Sequence, residues 1–226
     1  MTVAVVTGSS RGLGAGLVAR FTELGMQVAG CSSSTVDVAD AAAVEAFGRE
    51  VAASLGPIDL WVNNAGVLQP MGPQRDHDPA EVARALAVNV GGVANGTRTF
   101  TNLAREAPPA RRTLVNISSG ASRSIYEGWS IYGACKAAVD HFTEIVAAEE
   151  PDIGCWSVAP GVVDTDMQAF IRTHDAEAFP AIERFHELHR TGAWNAPAWI
   201  ADQIVALHTG ELVPDAVVYR VPAEPR

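Results

Sequence analysis

Residues 2–14 read TVAVVTGSSRGLG, an apolar run that passes directly into three glycines. An apolar run without period-two alternation fits a strand covered on both faces, so Thr2–Thr7 is read as a buried strand. Gly12–Leu24 follows as a helix that stops at Gly25. In the loop between them, Gly8 permits a tight turn and Gly12 permits close backbone approach to a pyrophosphate. Gly14 lets the helix sit against the sheet. Ser10, Arg11 and Leu13 complete the loop, whose free N–H groups and helix dipole suit an anionic bridge. The spacing departs from GxGxxG, and the same residues also make an ordinary tight strand-to-helix turn.

Outward from this loop the pattern repeats. Apolar runs at Gln27–Cys31, Asp59–Asn63, Thr113–Ser118 and Gly154–Ala159 read as strands, with Val217–Val221 as a last edge strand. Helical patterns lie at Ala39–Ser54, opened by Asp40, and at Pro79–Arg105, Tyr132–Ala148 and Ala196–Leu207. Strands each followed by a helix imply an α/β protein with a parallel sheet, doubly wound because crossovers are right-handed, with helices on both faces. Val36–Val38 follows Cys31 too soon for a crossover, which needs about a dozen residues. The second crossover helix is therefore expected to be missing, with Val36–Val38 a stunted third strand or a loop. Residues 1–226 read as a single domain, and residues 168–195, carrying His, Phe and Trp, as a substrate-loop insertion within it.

Composition narrows the function classes. The chain has 226 residues, 48% hydrophobic and 19% charged, which suits one domain with a full core. No stretch of about 18 apolar residues is present, so no membrane span is expected. The N-terminus lacks a basic segment and a small-residue cleavage site, and Cys31, Cys135 and Cys155 lie far apart. A cytoplasmic protein with reduced thiols is expected, without disulfide framework or zinc site. Sixteen Lys and Arg against 26 Asp and Glu leave a formal charge of −10, which disfavours nucleic acid as a partner.

Tyr132 and Lys136 stand four apart, hence on one helical face. A free phenol, with a pKa of about 10, is a poor acid–base near neutrality. A neighbouring ammonium stabilises the phenolate, which gives a proton donor suited to a ketone oxygen receiving a hydride. Ser119 is positioned to donate a hydrogen bond to the same oxygen. Asn89, awkward in mid-helix, is placed to hold a water linking Lys136 to solvent. Each has a plainer reading: surface neighbours for Tyr132 and Lys136, a cap or turn for Ser118 and Ser119, a buried backbone group satisfied by Asn89. Strand two ends in Ser32 and Ser33 with no carboxylate to repel a 2′-phosphate, and the Arg11 guanidinium is a natural phosphate partner. This favours NADP(H), with NAD(H) as the other possibility.

In chain order, Thr7-Gly8, Gly12, Gly14, Asp37-Val38, Asn63-Asn64-Ala65-Gly66, Asn89, Ser119, Tyr132, Lys136 and Pro160-Gly161 to Thr165 resemble the short-chain dehydrogenase/reductase family. The resemblance spans nearly the whole chain. It implies a Rossmann fold with a seven-stranded parallel sheet and an NAD(P)-dependent oxidoreductase acting on CH–OH or C=O groups. Ser119 and Tyr132 lie 13 residues apart, which fits the family and selects Ser119 over Ser118. By the same resemblance, Asp37 and Val38 flank the adenine, and Asn64, Ala65 and Gly66 line the adenosine ribose. Tyr132 and Lys136 also bond the nicotinamide ribose, and Pro160, Gly161, Val163 and Thr165 cradle the carboxamide. A homodimer or homotetramer through Pro79–Arg105 and Tyr132–Ala148 is implied. Residues 160–168, PGVVDTDMQ, are locally similar to the sepiapterin reductase and benzil reductase branch, which implies an NADPH-dependent reductase of aromatic ketones or diketones. Two features depart from the family: the missing helix removes part of the adenine-side wall, and Leu212–Arg226 lacks the common Gly-Gly ending.

The pocket is expected from Tyr126, Trp129, Met167 and Phe170, with Ile125, Phe179, Phe185 and Trp194 as further candidates, beside Ser119 and Tyr132. This inventory suits a small-molecule aromatic or bulky carbonyl, although the phenylalanines equally suit packing the insertion onto the sheet. His174, His186 and His189 do not match HExxH, and no metal is expected. The reading is an NADPH-dependent carbonyl reductase. An NAD-dependent alcohol dehydrogenase of the same family and a non-catalytic dinucleotide-sensing protein are its alternatives.

Overall fold

In the computed structural model, which describes residues 1–108 and 110–225, Val3–Thr7 forms β1 and every residue of it is buried. Arg226, the last residue of the C-terminal segment considered above, lies outside the described residues. β1 pairs in parallel with β2 (Gln27–Cys31) on one side and β3 (Leu60–Asn63) on the other. β4 (Arg112–Ile117), β5 (Ile153–Ala159) and β6 (Val218–Arg220) extend the sheet, giving the order β2-β1-β3-β4-β5-β6 with every pairing parallel.

Parallel neighbours force each connection across a face. α1 (Gly12–Glu23) leads from β1 to β2, and α2 (Ala41–Leu55) from β2 to β3. α3 (Pro79–Leu86) and α4 (Gly92–Glu106) join β3 to β4, and α5 (Ser130–Glu149) joins β4 to β5. α6 (Asp166–Ile171), α7 (Ile182–Thr191) and α8 (Pro197–Thr209) lie between β5 and β6. Because strand side chains alternate, two cores result. Ala4, Val6, Leu60, Val62 and Val158 meet Leu17, Phe21, Ile200 and Ile204 of α1 and α8. Val5, Trp61 and Leu114 meet Val44, Phe100 and Val146 of α2, α4 and α5 on the other face. Each fully buried Val, Leu, Ile or Phe among them contributes about 1.5–3 kcal/mol. Asp40 caps α2, its carboxylate accepting from the N–H groups of Ala42 and Ala43 at 2.9 and 3.1 Å.

The loop alternative for Val36–Val38 holds, while the seven-stranded sheet and the unbroken Pro79–Arg105 helix are corrected. The segment after β2 is a loop: the N–H groups of Thr35 and Val36 both bond the Ser32 carbonyl, closing a turn where a strand would have to begin. Among the described residues no helix stands between β2 and Val36–Val38, and no strand forms there. Among the described residues the sheet therefore has six strands where the family resemblance implies seven, and α2 itself carries the crossover from β2. The long helix expected over Pro79–Arg105 is interrupted at Ala87–Gly91 by a widened turn in which the Gly92 N–H reaches back to the Ala87 carbonyl. Gly91 and Gly92 hold a helix weakly, and Val38 presses on this spot: a Cβ on Gly92 would lie 2.7 Å from Val38 Cγ2.

Candidate active site

The segments singled out by sequence all follow the carboxyl ends of strands. The glycine loop follows β1, Ser32–Ser33 follow β2, Asn64–Gly66 follow β3, Ser119 follows β4 and Pro160–Thr165 follow β5. α1 packs on one face of the sheet and α4 on the other, so the winding reverses between β1 and β3. Open α/β sheets form their ligand crevice at such a reversal.

The glycine loop is locked to its neighbours from within. Thr7 Oγ1 accepts from the N–H groups of Asn64 and Ala65 at 3.0 and 3.1 Å, and Asn64 Nδ2 donates to the carbonyls of Thr7 and Gly8. Gly8 and Gly12 have φ of 68° and 55°, a left-handed region that glycine enters without cost. A Cβ on Gly8 would lie 2.8 Å from Ala65 Cα, and one on Gly12 would lie 3.1 Å from Thr165 Cγ2. α1 begins without a side-chain cap at Arg11, so its first-turn N–H groups have no side-chain acceptor. A cradle bare of Cβ atoms, ending in helix N–H donors, fits the pyrophosphate of a dinucleotide. Ser10 is exposed and Leu13 half-buried on the two flanks of this cradle. Arg11 reaches across the mouth to Asp166 at 3.4 Å, both side chains about three-quarters exposed (77% and 73%).

After β2, Ser32 to Thr35 form a turn, exposed from Ser33 onward, in which the Ser32 and Ser34 hydroxyls lie 2.8 Å apart. Asp37 is engaged by Arg84 of α3 through two bonds at 2.8 and 3.1 Å. That guanidinium, with the Ala39 N–H, holds the Asp37 carboxyl below its usual range. Val38 is buried, and its carbonyl accepts from Asn95 Nδ2.

α5 brings Tyr132 and Lys136 together in the interior. Both are buried, and the Lys136 Nζ lies 5.7 Å from the centre of the Tyr132 ring. Nζ donates to the Ile117 carbonyl at 2.8 Å, which ties α5 to the end of β4. Burial pulls the Lys136 ammonium down to about 8, against Cys135 and Asp140, which hold it up. Burial also pushes the Tyr132 phenol up, while a hydrogen bond with the Ser119 side chain draws it down. Ser118 instead is buried with its hydroxyl unpartnered and its N–H bonded to the Val158 carbonyl. Asn89 is fully buried in the widened turn, and its amide is engaged at both ends by the Val67 backbone, at 3.0 and 2.8 Å. The side chain thereby shapes the Gly66 loop, where a Cβ would lie 2.9 Å from Asn89 Oδ1 and 3.7 Å from Lys136 Nζ.

Over Tyr132 lies an aromatic cluster built by the segment that leads into α5 together with residues 167–185. Trp129 meets Tyr132 edge to face at 5.7 Å and stacks on Phe179 at 4.7 Å, with Tyr126 and Phe185 at 4.9 and 5.4 Å. Met167 and Phe170 pack against this cluster. Ile125 is 96% exposed, and Trp194 faces His189, so neither joins it. His174 bonds the Phe170 carbonyl, and among the described residues no group of three metal-ligating side chains forms. The structure adds Asn195, which gives no sign of itself in the sequence. Its Nδ2 donates to the carbonyls of Pro160 and Pro222, pinning the Pro160–Gly161 turn to the C-terminal segment. Gly161 takes φ of 78°, Val163 is buried and Thr165 faces Gly12.

The short chain dehydrogenase family model matches residues 32–176. A benzil reductase ((S)-benzoin forming) of Bacillus subtilis is 31% identical over 227 residues, covering 92% of this chain and 93% of its own. A sepiapterin reductase of Meriones unguiculatus is 39% identical over 115 residues, 50% of this chain and 44% of its own. The crystal structure of the KRED1-Pglu enzyme matches with a TM-score of 0.87 at 32% identity, over 96% of this chain and 98% of that one. Among the described residues no helix is long and apolar enough to cross a membrane.

Proposed function

This chain belongs to the short-chain dehydrogenase/reductase family of NAD(P)-dependent oxidoreductases, and we propose that it is an NADPH-dependent reductase of aromatic ketones and diketones. The observation that carries this reading is a buried phenol with a serine at its hydroxyl and an ammonium one turn away, beneath an aromatic cluster. The benzil reductase relative supports the diketone class.

Gly8, Gly12, Gly14 and the first turn of α1 would hold the dinucleotide's phosphates. Asp37, Val38 and Asn64–Gly66 would line its adenosine side, and Pro160–Thr165 its carboxamide. When bound, the reduced nicotinamide supplies a hydride to the carbonyl carbon. Tyr132 gives its proton to the carbonyl oxygen, and Ser119 donates a hydrogen bond to that oxygen as charge develops on it. The Lys136 ammonium stabilises the phenolate left behind. Asn89 supports this by fixing the chain beside Lys136. Tyr126, Trp129, Met167 and Phe170 supply the apolar wall. Assembly as a homodimer or homotetramer through α4 and α5 belongs to the same reading. So does a cytoplasmic location, in keeping with three unpaired, buried cysteines.

The test follows reduced-nicotinamide absorbance with benzil and a panel of aromatic ketones. Turnover with NADPH supports the reading. Tight dinucleotide binding with no turnover favours a sensor, and alcohol oxidation restricted to NAD favours a dehydrogenase. Cofactor choice rests on Arg11, which a 2′-phosphate would draw from Asp166 by offering a doubly charged partner. Arg11→Ala is expected to weaken NADPH binding about tenfold, worth about 1.4 kcal/mol, and to leave NADH binding unchanged in fluorescence titrations. Equal loss for both dinucleotides would remove Arg11 from the 2′-phosphate site.

A further inference from the structure

Asp140 stands one helical turn beyond Lys136 on α5, and both are buried, at 7% and 4% exposure. Ser157 Oγ, fully buried on β5, donates to Asp140 Oδ1 at 2.6 Å. A bond this short is typical of a hydroxyl donating to an ionised carboxylate. β4 and β5 pair with Asn116 opposite Ser157 and Ile117 opposite Val158. The sheet therefore anchors the two charges side by side, the cation at the Ile117 carbonyl and the anion at Ser157. Among the described residues no direct ion pair joins them. Asp140 acts across the interior, where water screens charge weakly.

We propose that Asp140, pinned by Ser157, is the buried counter-charge of the Lys136 ammonium and thereby a positioning residue for proton donation at Tyr132. The second half rests on the reading of Tyr132 and Lys136 given above. Facing Lys136 are Tyr132, Cys135 and Asp140 from α5 and the Ile117 carbonyl from β4, while the Asn89 amide of the widened turn borders Gly66 on the same side. Burial pushes the Cys135 thiol up, so it is uncharged near neutrality. Asp140 is then the anion that offsets the desolvation of Lys136. The serine matters because a loose carboxylate would turn away toward solvent and leave the ammonium with a weakened counter-charge.

Asp140→Asn keeps the side chain's shape and an acceptor for Ser157 while removing the charge. The Lys136 titration is read directly by carbon NMR of the lysine ε-methylenes in the full-length protein, without reference to turnover. Loss of the anion disfavours the charged ammonium, so the Lys136 midpoint is expected to fall by about one pH unit. Asp140→Glu restores most of it. The pH profile of carbonyl reduction moves in Asp140→Asn, while the dinucleotide KM stays within about twofold, as expected where uniform binding is untouched. Ser157→Ala, which unpins the carboxylate without deleting it, shifts the midpoint in the same direction by less, and serves if Asp140→Asn does not fold. An unmoved Lys136 midpoint in both variants overturns the proposal. A Tyr132→Phe protein that keeps its activity overturns the reading of the site instead, and the lysine titration distinguishes the two failures.

Discussion

Tyr132→Phe is expected to lower carbonyl reduction by about a thousandfold or more while dinucleotide binding stays within a few fold of the unmodified protein. The substitution removes one oxygen and nothing else. The ring keeps its edge-to-face contact with Trp129 at 5.7 Å, and Lys136 keeps its bond to Ile117, so the scaffold is untouched. The phenol is also a buried polar group whose described partner is Ser119, and its loss leaves no charge uncompensated. Ser119 still polarises a carbonyl, but no group remains to deliver a proton within the buried site. The measurements are kcat at saturating dinucleotide and ketone, and the dissociation constant of NADPH by fluorescence. Activity near that of the unmodified chain would refute the assigned proton donor. The pH dependence has a definite sign: reduction needs a protonated phenol beside a charged ammonium. The rate is therefore expected to fall as pH rises through about 8, where Lys136 gives up its proton.

The parts of this molecule legible from sequence are those governed by local pattern. Unbroken apolar runs such as VAVVT announce strands buried on both faces, and Asp40 announces a helix start because its short carboxylate reaches the N–H groups two and three residues on. Tyr132 and Lys136 are legible as a pair because a helix fixes their shared face, and the resemblance to a family selects Ser119, which the structure sets against Tyr132. What escapes the sequence depends on partners far along the chain. Nothing near Asn195 foretells that it holds Pro160, 35 residues earlier, and nothing near Asp37 foretells Arg84. Asp140 looks like one more polar position on a helix until β5 brings Ser157 against it. Ile125 and Trp194 stand outside the aromatic cluster for the converse reason, since hydrophobicity alone does not say which way a loop side chain turns. The widened turn at Ala87–Gly91 escapes a periodicity argument because it occupies a single turn inside an otherwise helical run.

The largest loss of fold and binding together is expected from Gly14→Ala. A Cβ there would lie 2.2 Å from the Gly8 carbonyl oxygen, 2.9 Å from its carbon and 2.6 Å from Asn64 Nδ2. Most of these obstacles are backbone, and the backbone cannot retreat. Gly8 is itself closed in by Ala65, 2.8 Å from where its own Cβ would sit, and Asn64 is committed to the carbonyls of Thr7 and Gly8. Alanine gains about 1 kcal/mol of helix propensity over glycine. Overpacking against fixed backbone costs more, about 1–3 kcal/mol for a single methyl in a site that can adjust, and this site adjusts poorly. A net loss of about 2 kcal/mol corresponds to a Tm lower by roughly 4–8 °C for a chain of this size. Relief of the clash would tilt α1 away from β1, moving its first-turn N–H groups off the anion they would hold. NADPH affinity is therefore expected to drop by about a hundredfold or more, the scale of two or three misaligned charge-assisted hydrogen bonds. Gly25→Ala is the control, because Gly25 has φ of 82° and nothing within 4 Å of its missing Cβ. That substitution strains the backbone by about 1 kcal/mol far from the crevice, so it lowers Tm with affinity unchanged. If Gly14→Ala lost only stability in the same way, the start of α1 would be a packing joint and the dinucleotide's phosphates would have to be held elsewhere.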